Sequence, residues 1–463
     1  MATIESAPPA VVRRGSRRRH VFTLAFPAVG EQVLNTFVGL ADTFLVGHLS
    51  LQAAAQLGYD SASALAGVGL AGQIVWLFTV FFQAVSVGST ALIARAKGAN
   101  DIPTANQALR QSLIIGLIMG LGSTLIALLL APQLLGMLGA GADVLPQGVT
   151  FLRIAALTFG PAALLFIGTA ALRGVGDTRT PLVVMLGVNA INILVSWLLI
   201  NGNWGFPVLG VAGAAIGAAL ARGAGGLVLV ALLLRGRGIL RLKLDLRPHW
   251  ETLRRIIRIG APSGVEQLVF QGALLIFVRF VTGLGTVAYA AHNVVLNIES
   301  LSFLPGMGYA IAASALVGQG LGARRPELAE ADAYESLWQG GIMMTLLGVV
   351  MMLFPHQLIG LFAADPAVAD AGATAMRIAG AFQPLLAINF VMSGALRGAG
   401  DTRWPLYIKI ISTWGVRLPL TLLLMGWAWG LTGIWVAMGT DFAVQAALAF
   451  WRFRQGHWKL TRV

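Results

Sequence analysis

Long apolar stretches, broken at short intervals by polar residues, run through the whole 463-residue chain. Ser112–Leu130, Ile342–Phe354 and Ile408–Trp427 are, or belong to, nearly uncharged runs of this kind. A helix rises 1.5 Å per residue, so about 20 apolar residues cross a bilayer core. The pattern predicts helices at about 20–47, 63–97, 104–131, 147–171, 179–201 and 208–234. After a polar stretch it predicts six more, at 252–280, 286–321, 330–354, 370–395, 403–426 and 431–453. A buried core helix accounts for one such run, but not for a dozen. Several are longer than a bare crossing requires, so they tilt or extend into water. The expected fold is an all-α polytopic membrane protein with twelve spans in two six-helix lobes.

Charge adds an orientation. Only 11% of residues are charged and 57% are hydrophobic, against about 25% charged in a soluble protein. The N-terminus carries Arg13, Arg14, Arg17, Arg18 and Arg19. The breaks after spans 2, 4, 6, 8 and 10 carry Arg95 and Lys97, Arg173 and Arg179, residues from Arg235 to Arg258, Arg324 and Arg325, and Arg397 and Arg403. The C-terminus has Arg452, Arg454, Lys459 and Arg462, while the opposite breaks (48–60, 133–146, 202–207, 281–285, 355–369 and 427–430) have no Lys or Arg. By the positive-inside rule both termini are cytoplasmic, in the inner membrane. The net charge of +13 is then topology and contact with anionic membrane lipids, not a nucleic-acid surface. The basic start runs directly into the first span without a small-residue cleavage site, so no cleavable signal peptide is expected. Zero cysteines and six scattered histidines leave no thiolate or HExxH metal site.

The strongest feature is a duplication. Ala171-Leu-Arg-Gly-Val-Gly-Asp-Thr-Arg-Thr-Pro-Leu182 recurs as Ala395-Leu-Arg-Gly-Ala-Gly-Asp-Thr-Arg-Trp-Pro-Leu406, matching at ten of twelve positions with an offset of 224. Pro27, Glu31 and Gln32 match Pro262, Glu266 and Gln267 at 235, and Gly98-Ala99 match Gly322-Ala323 at 224. The change of offset places a longer outer loop near Leu51–Ser61. Six spans per copy return the chain to its starting side, so the pseudo-twofold axis runs along the membrane normal. The expected units are 1–234, a basic cytoplasmic linker 235–251, and 252–463. Two like lobes facing a central cleft form a transporter layout. In the repeated turn, Asp177 and Asp401 are expected to cap the next helix while the arginines anchor at lipid headgroups.

The twelve spans, the twin Arg-Gly-x-Gly-Asp-Thr motifs, Pro27 and Ala41-Asp42-Thr43-Phe44-Leu45-Val46-Gly47 resemble the multidrug and toxic compound extrusion (MATE) family over nearly the whole chain. The resemblance implies no enzymatic activity and no cofactor. It implies export of small organic compounds, such as drugs and cationic dyes, in exchange for inward H⁺ or Na⁺, by alternating access in a monomer. No Gly-x-x-x-x-Gly-Lys-[Ser/Thr] motif contradicts this. The competing readings are a lipid or lipid-linked oligosaccharide flippase of the same superfamily and a membrane-bound enzyme. The first needs cationic residues lining the cleft, whereas most arginines stand at helix ends. The second needs a catalytic cluster, and no such motif occurs.

Ionisable groups inside a span are candidates for function. At about 100° per residue, Glu31, Asn35 and Asp42 lie within about 40° of one another on span 1, with Pro27 about 40° to the other side. Such a stripe is expected to face the lobe interior or a wet cavity, and Pro27 permits a bend. Protonation of Asp42 would remove the cost of a buried charge and let the stripe repack. At the matching positions of span 7 stand Phe270 and Phe277, which places ion coupling in the first lobe. The resemblance agrees at Asp42 and adds Asn189 and Asn192 of span 5 as polar partners. It departs at Ser196, where many relatives place an acid, and at Phe270, where some place a glutamate. These departures favour H⁺ over Na⁺, with at most a weak Na⁺ site at Asp42 and Asn192, and a DinF-like over a NorM-like branch. Glu31 and Glu266 are candidates either for pairing with cytoplasmic arginines or for coupling. Glu299, Gln271 and Asp441 are candidates for substrate or secondary proton contacts, with Asp441 also able to pair with Lys409 or Arg417. Lys409 is expected to snorkel to the cytoplasmic surface.

Overall fold

The computed structural model describes residues 14–463 apart from 244, 246, 364 and 462. Arg13, Arg462 and the first residues of the expected unit 1–234 lie outside the described residues. The first half contains α1 (Arg14–Gly47), α2 (Leu51–Leu57), α3 (Ser61–Gly98), α4 (Ile102–Met137), α5 (Leu145–Ala156), α6 (Phe159–Gly174), α7 (Arg179–Ile200) and α8 (Val211–Arg235). The second contains α9 (Trp250–Thr282), α10 (Thr286–Gly322), α11 (Pro326–Leu353), α12 (Pro355–Gly360), α13 (Pro366–Gly398), α14 (Arg403–Lys409), α15 (Leu418–Gly426) and α16 (Gly430–Arg454). A π-helical segment, Ile410–Arg417, joins α14 to α15 into one span.

Among the described residues eleven helical stretches are long and apolar enough to span a membrane, and α5 with α6, bent by 58°, makes a twelfth. The sequence pattern predicts one continuous helix there. The break falls just before Pro161, which supplies no N–H and whose ring crowds the carbonyl four residues earlier, that of Leu157. Pro27 lies inside α1 without breaking it. The expected long loop near residue 51 is instead the short helix α2, whose start Ser50 caps through its hydroxyl to the Ala53 N–H.

Each half buries two apolar cores, and the halves exchange helix ends. Val21, Leu24 and Ala25 of α1 pack into a core of the second half beside Tyr309 and Leu396. Ile256 and Ile259 of α9 pack into a core of the first half beside Leu92 and Leu172. Between these helix ends α3 and α10 cross backbone to backbone. A Cβ on Gly98 would collide with the Gln319 carbonyl, and one on Gly322 with the Arg95 carbonyl. The glycines of the repeated Gly-Ala pair are therefore required by the closest approach of the two lobes. All of this lies at the end that carries the arginine-rich breaks, here called the basic end.

The connection between the halves is fastened down. Leu240 is fully buried in the first lobe's core. Asn106 of α4 accepts from the Arg241 N–H at 2.6 Å and donates to the Ile239 carbonyl at 3.2 Å, and Arg110 pairs with Asp245 at 2.8 Å.

Candidate functional site

The repeated turn builds the same ion pair twice. Arg173 reaches Glu31 at 3.5 Å, and Arg397 donates to both oxygens of Glu266, at 2.7 and 3.0 Å. These arginines therefore turn inward and do not anchor at headgroups. Each neutralises the buried glutamate that the first helix of its lobe presents, and removing both charges from water requires such a partner. Asp177 caps α7 as expected, accepting from the Thr180 N–H at 2.9 Å. Asp401 departs from expectation: its carboxylate accepts from Nε and Nη2 of Arg452, at 3.0 and 2.8 Å.

Asp42 is 8% exposed. With the Asn192 amide oriented to satisfy both its ends, Nδ2 donates to Asp42 Oδ1 at 3.1 Å and Oδ1 accepts from the Ala218 N–H at 3.1 Å. The Ser196 hydroxyl also faces Asp42 Oδ1, at 3.5 Å. The charge of Arg222 on α8 acts on Asp42, and among the described residues the two form no direct ion pair. One carboxylate meets two neutral donors, and the Asn192 oxygen is turned away. Asn189 does not join: Nδ2 donates to the Met185 carbonyl of its own helix at 2.8 Å, and its buried Oδ1 has no partner. Asn35 is exposed and stands apart from Asp42 and Glu31. The predicted stripe thus divides into a glutamate paired near the basic end and an aspartate held by α7.

The second lobe contains a larger buried polar set than its first helix suggests. Arg417, at the end of the π segment, lies 2.7 Å from Asp441 of α16. Gln445, one turn on, donates to Asp441 at 2.8 Å and accepts from Lys409 at 3.1 Å and from Asn389 at 2.9 Å. Lys409 does not snorkel outward; its ammonium sits over the Phe270 ring at 4.5 Å. Arg417 lies 5.5 Å from the Phe277 ring and 5.2 Å from that of Phe442. The two phenylalanines that replace Asn35 and Asp42 in the repeat therefore act as faces for cations. Glu299 and Gln383 are buried, and Glu299 Oε1 and both Gln383 amide atoms have no partner. Gln271 is half-buried. Sequence reasoning missed Gln445 and Asn389. Their signal was the four-residue spacing of Asp441 from Gln445 and of Asn389 from Ser393, which puts each pair on one helix face. Among the described residues no three His, Cys, Asp or Glu side chains are grouped to hold a metal ion.

The lobes are related in register as well as in sequence. Arg222 and Asp441 each stand eleven residues after the first residue of α8 and α16. Asn192 stands thirteen after Arg179, and Arg417 fourteen after Arg403. The π segment takes up the extra residue, so Arg417 occupies the place of Asn192.

The MatE family model matches residues 27–198 and 262–423. The chain is 32% identical to a probable multidrug resistance protein NorM of Thermotoga maritima, covering 96% of this chain and 93% of the relative. It is 29% identical to the uncharacterized transporter YisQ of Bacillus subtilis, covering 95% and 94%. Among solved structures, MATE in the straight conformation superposes with a TM-score of 0.87 at 23% identity, over 96% of this chain and 97% of that one. MATE in the bent conformation gives 0.86 at 23%, again over 96% and 97%.

Proposed function

The chain belongs to the MatE family, and from that premise we propose that it exports amphipathic, often cationic organic compounds in exchange for inward H⁺. Relatives named as multidrug resistance proteins support the substrate class. The observation that carries the coupling reading is Asp42, a carboxylate buried in a span between Asn192 and Ser196. Loading a proton there removes a charge that burial penalises. The contacts to Asn192 and Ser196, which favour the charged form, then weaken, and α1 is free to shift against α7. Two neutral donors facing one carboxylate suit a proton better than Na⁺, which takes several oxygen ligands.

With the basic end cytoplasmic, the lobes meet at their inner ends. The contacts between α3 and α10, and the ion pair of Arg17 with Asp332 at 3.3 Å, are then the inner gate. Alternating access separates these contacts and joins the outer halves.

The test uses purified protein in liposomes with a fluorescent cationic dye, under a pH gradient or a Na⁺ gradient imposed separately. Wild type is expected to move dye with the pH gradient, and Asp42→Asn to lose that transport. Full transport by Asp42→Asn under the pH gradient would sink the role of Asp42. Movement driven by Na⁺ alone would sink the choice of ion.

A further inference from the structure

We propose that the first lobe holds one anionic phospholipid of the leaflet at the basic end, its phosphodiester on Arg179 and Arg237 and one acyl chain in the groove between α7 and α8. The site lies apart from Asp42 and stands whichever ion drives transport.

The groove has a volume of about 350 Å³, in the range of small-molecule sites. Its walls are Val183 and Ile191 of α7 and Val228 and Leu232 of α8, and among the described residues no acid lines it. Val183 and Val228 are 65% and 51% exposed, which within a span means open to lipid chains. Gly187 leaves the middle free, since a Cβ there would meet nothing within 4 Å, whereas a Cβ on Gly225 would strike Val188, where the two helices close the floor. Ser196, which faces Asp42, stands nine residues after Gly187, about 180° round the helix. The groove therefore opens on the side of α7 away from α1 and Asp42. From Arg179 to Ile191 the helix rises about 18 Å. That length takes an acyl chain from headgroup level through the near half of a bilayer core about 30 Å thick.

The mouth is built in advance. Arg237 stands in the fastened connection between the lobes, its N–H donating to the carbonyl of buried Leu240 at 2.8 Å. Its Nε donates to Thr180 Oγ1 at 3.0 Å and to Asp177 at 3.3 Å, and its two Nη groups bond nothing among the described residues. Arg179 is exposed and forms no ion pair among them. Two arginines and one carboxylate leave one positive charge over. A phosphodiester carries one negative charge and suits guanidinium donors. A zwitterionic headgroup adds an ammonium and leaves that excess unmatched, and a second copy packed groove to groove would set these arginines against their own kind. The repeat supplies the contrast. Trp404 stands in the place of Thr180, and Arg452 lies over its ring at 4.7 Å while pairing with Asp401. The side chain of Arg452 is 14% exposed, against 53% for Arg237, so the second lobe covers the arginine that the first leaves open.

Photolabelling of the purified, full-length protein in detergent tests this, with phosphatidylglycerol that carries a diazirine in its acyl chain and mass spectrometry to locate the label. Label is expected on residues 183–191 and 224–232. Unlabelled phosphatidylglycerol is expected to remove it at roughly five-fold lower concentration than phosphatidylcholine, the effect of about one charge near a membrane surface. Arg179→Gln is expected to abolish that preference. Gly187→Phe, which fills the groove, is expected to abolish the label there while label on other spans remains. A misfolded variant would change the label everywhere, and the competition in wild type needs no variant. Equal competition by the two lipids would overturn the proposal and leave an ordinary lipid-facing surface. So would label spread evenly over the outer faces of the spans, or removal of the label by glycerol phosphate, which has no chains and would make this a site for a soluble anion. None of these outcomes depends on dye transport, so the test stands apart from the coupling reading.

Discussion

At the scale of single residues, the paired glutamates show what burial demands. Glu266 and Arg397 hold each other through two hydrogen bonds. Glu266→Gln strands the guanidinium, and a lost hydrogen bond to a charged group costs about 1–3 kcal/mol. The expected result is a lower melting temperature in detergent, partly recovered in the double variant with Arg397→Gln. No recovery would mean that the two side chains do not act as a pair. Outside the spans, Asp60 and Asp101 cap α3 and α4. The Ser63 N–H holds the Asp60 carboxyl below the usual carboxylate range, and the Thr104 hydroxyl and N–H do so for Asp101. A lowered pKa in the folded state stabilises above the ordinary Asp value and ceases to as pH falls through the folded value. Acid unfolding of Asp101→Asn is therefore expected to be less steep than that of wild type. Unchanged pH dependence would remove the cap from the account.

At the scale of elements, the π segment decides where a charge points. Deleting Ile411 removes the residue that the wide turn absorbs and returns Ile410–Arg417 toward α-helix with the residues beyond it kept in place. Arg417 would then stand thirteen residues after Arg403, as Asn192 does after Arg179, and would still meet Asp441. The expected outcome is a folded protein of near wild-type melting temperature, whereas deleting Val436 from the plain helix α16 turns Asp441 away by about 100° and lowers it. Equal losses from both deletions would deny the segment its role. The repeat was legible here only in part. The pattern shows that α14 to α15 corresponds to α7, but the extra residue is visible only when the helix is followed through space. The same holds for Asp401, which matches Asp177 in sequence and like it meets an arginine, Arg452 where Asp177 has Arg237, but among the described residues does not cap the next helix.

At the scale of the molecule, closure at the basic end is a set of separable contacts. Besides the α3–α10 crossing, Arg17 pairs with Asp332 at 3.3 Å, Arg95 donates to the Thr461 carbonyl at 2.6 Å, and Gln319 donates to the Gly174 carbonyl at 2.8 Å. A chain without cysteine accepts a single reporter cysteine cleanly. Placed at Ala94, which faces Gly318 across the seam, it is expected to be shielded from a thiol reagent in wild type. Asp332→Arg sets two like charges against each other and is expected to raise labelling. Arg17→Asp in that background restores an opposite pair and is expected to lower it again. Labelling that ignores both changes would remove this ion pair from the gate.

The sequence alone determined the class of the fold. Hydrophobic runs of spanning length follow from the bilayer's thickness, the sidedness of arginine from the cost of moving charge across it, and the duplication from residue identity. Those constraints are local or statistical, so one dimension suffices to read them. Asp42 stood out as a candidate for the same reason, because a lone acid in an apolar helix is conspicuous wherever it packs. The partners of the acids were decided by tertiary structure. Arg173 and Arg397 turn inward because glutamates of distant helices lie under them, and Lys409 is held by Gln445 from another helix. The second lobe's polar set is assembled from four spans, none of which reveals it alone. A buried charge is settled by what stands opposite it, and only packing brings those groups together.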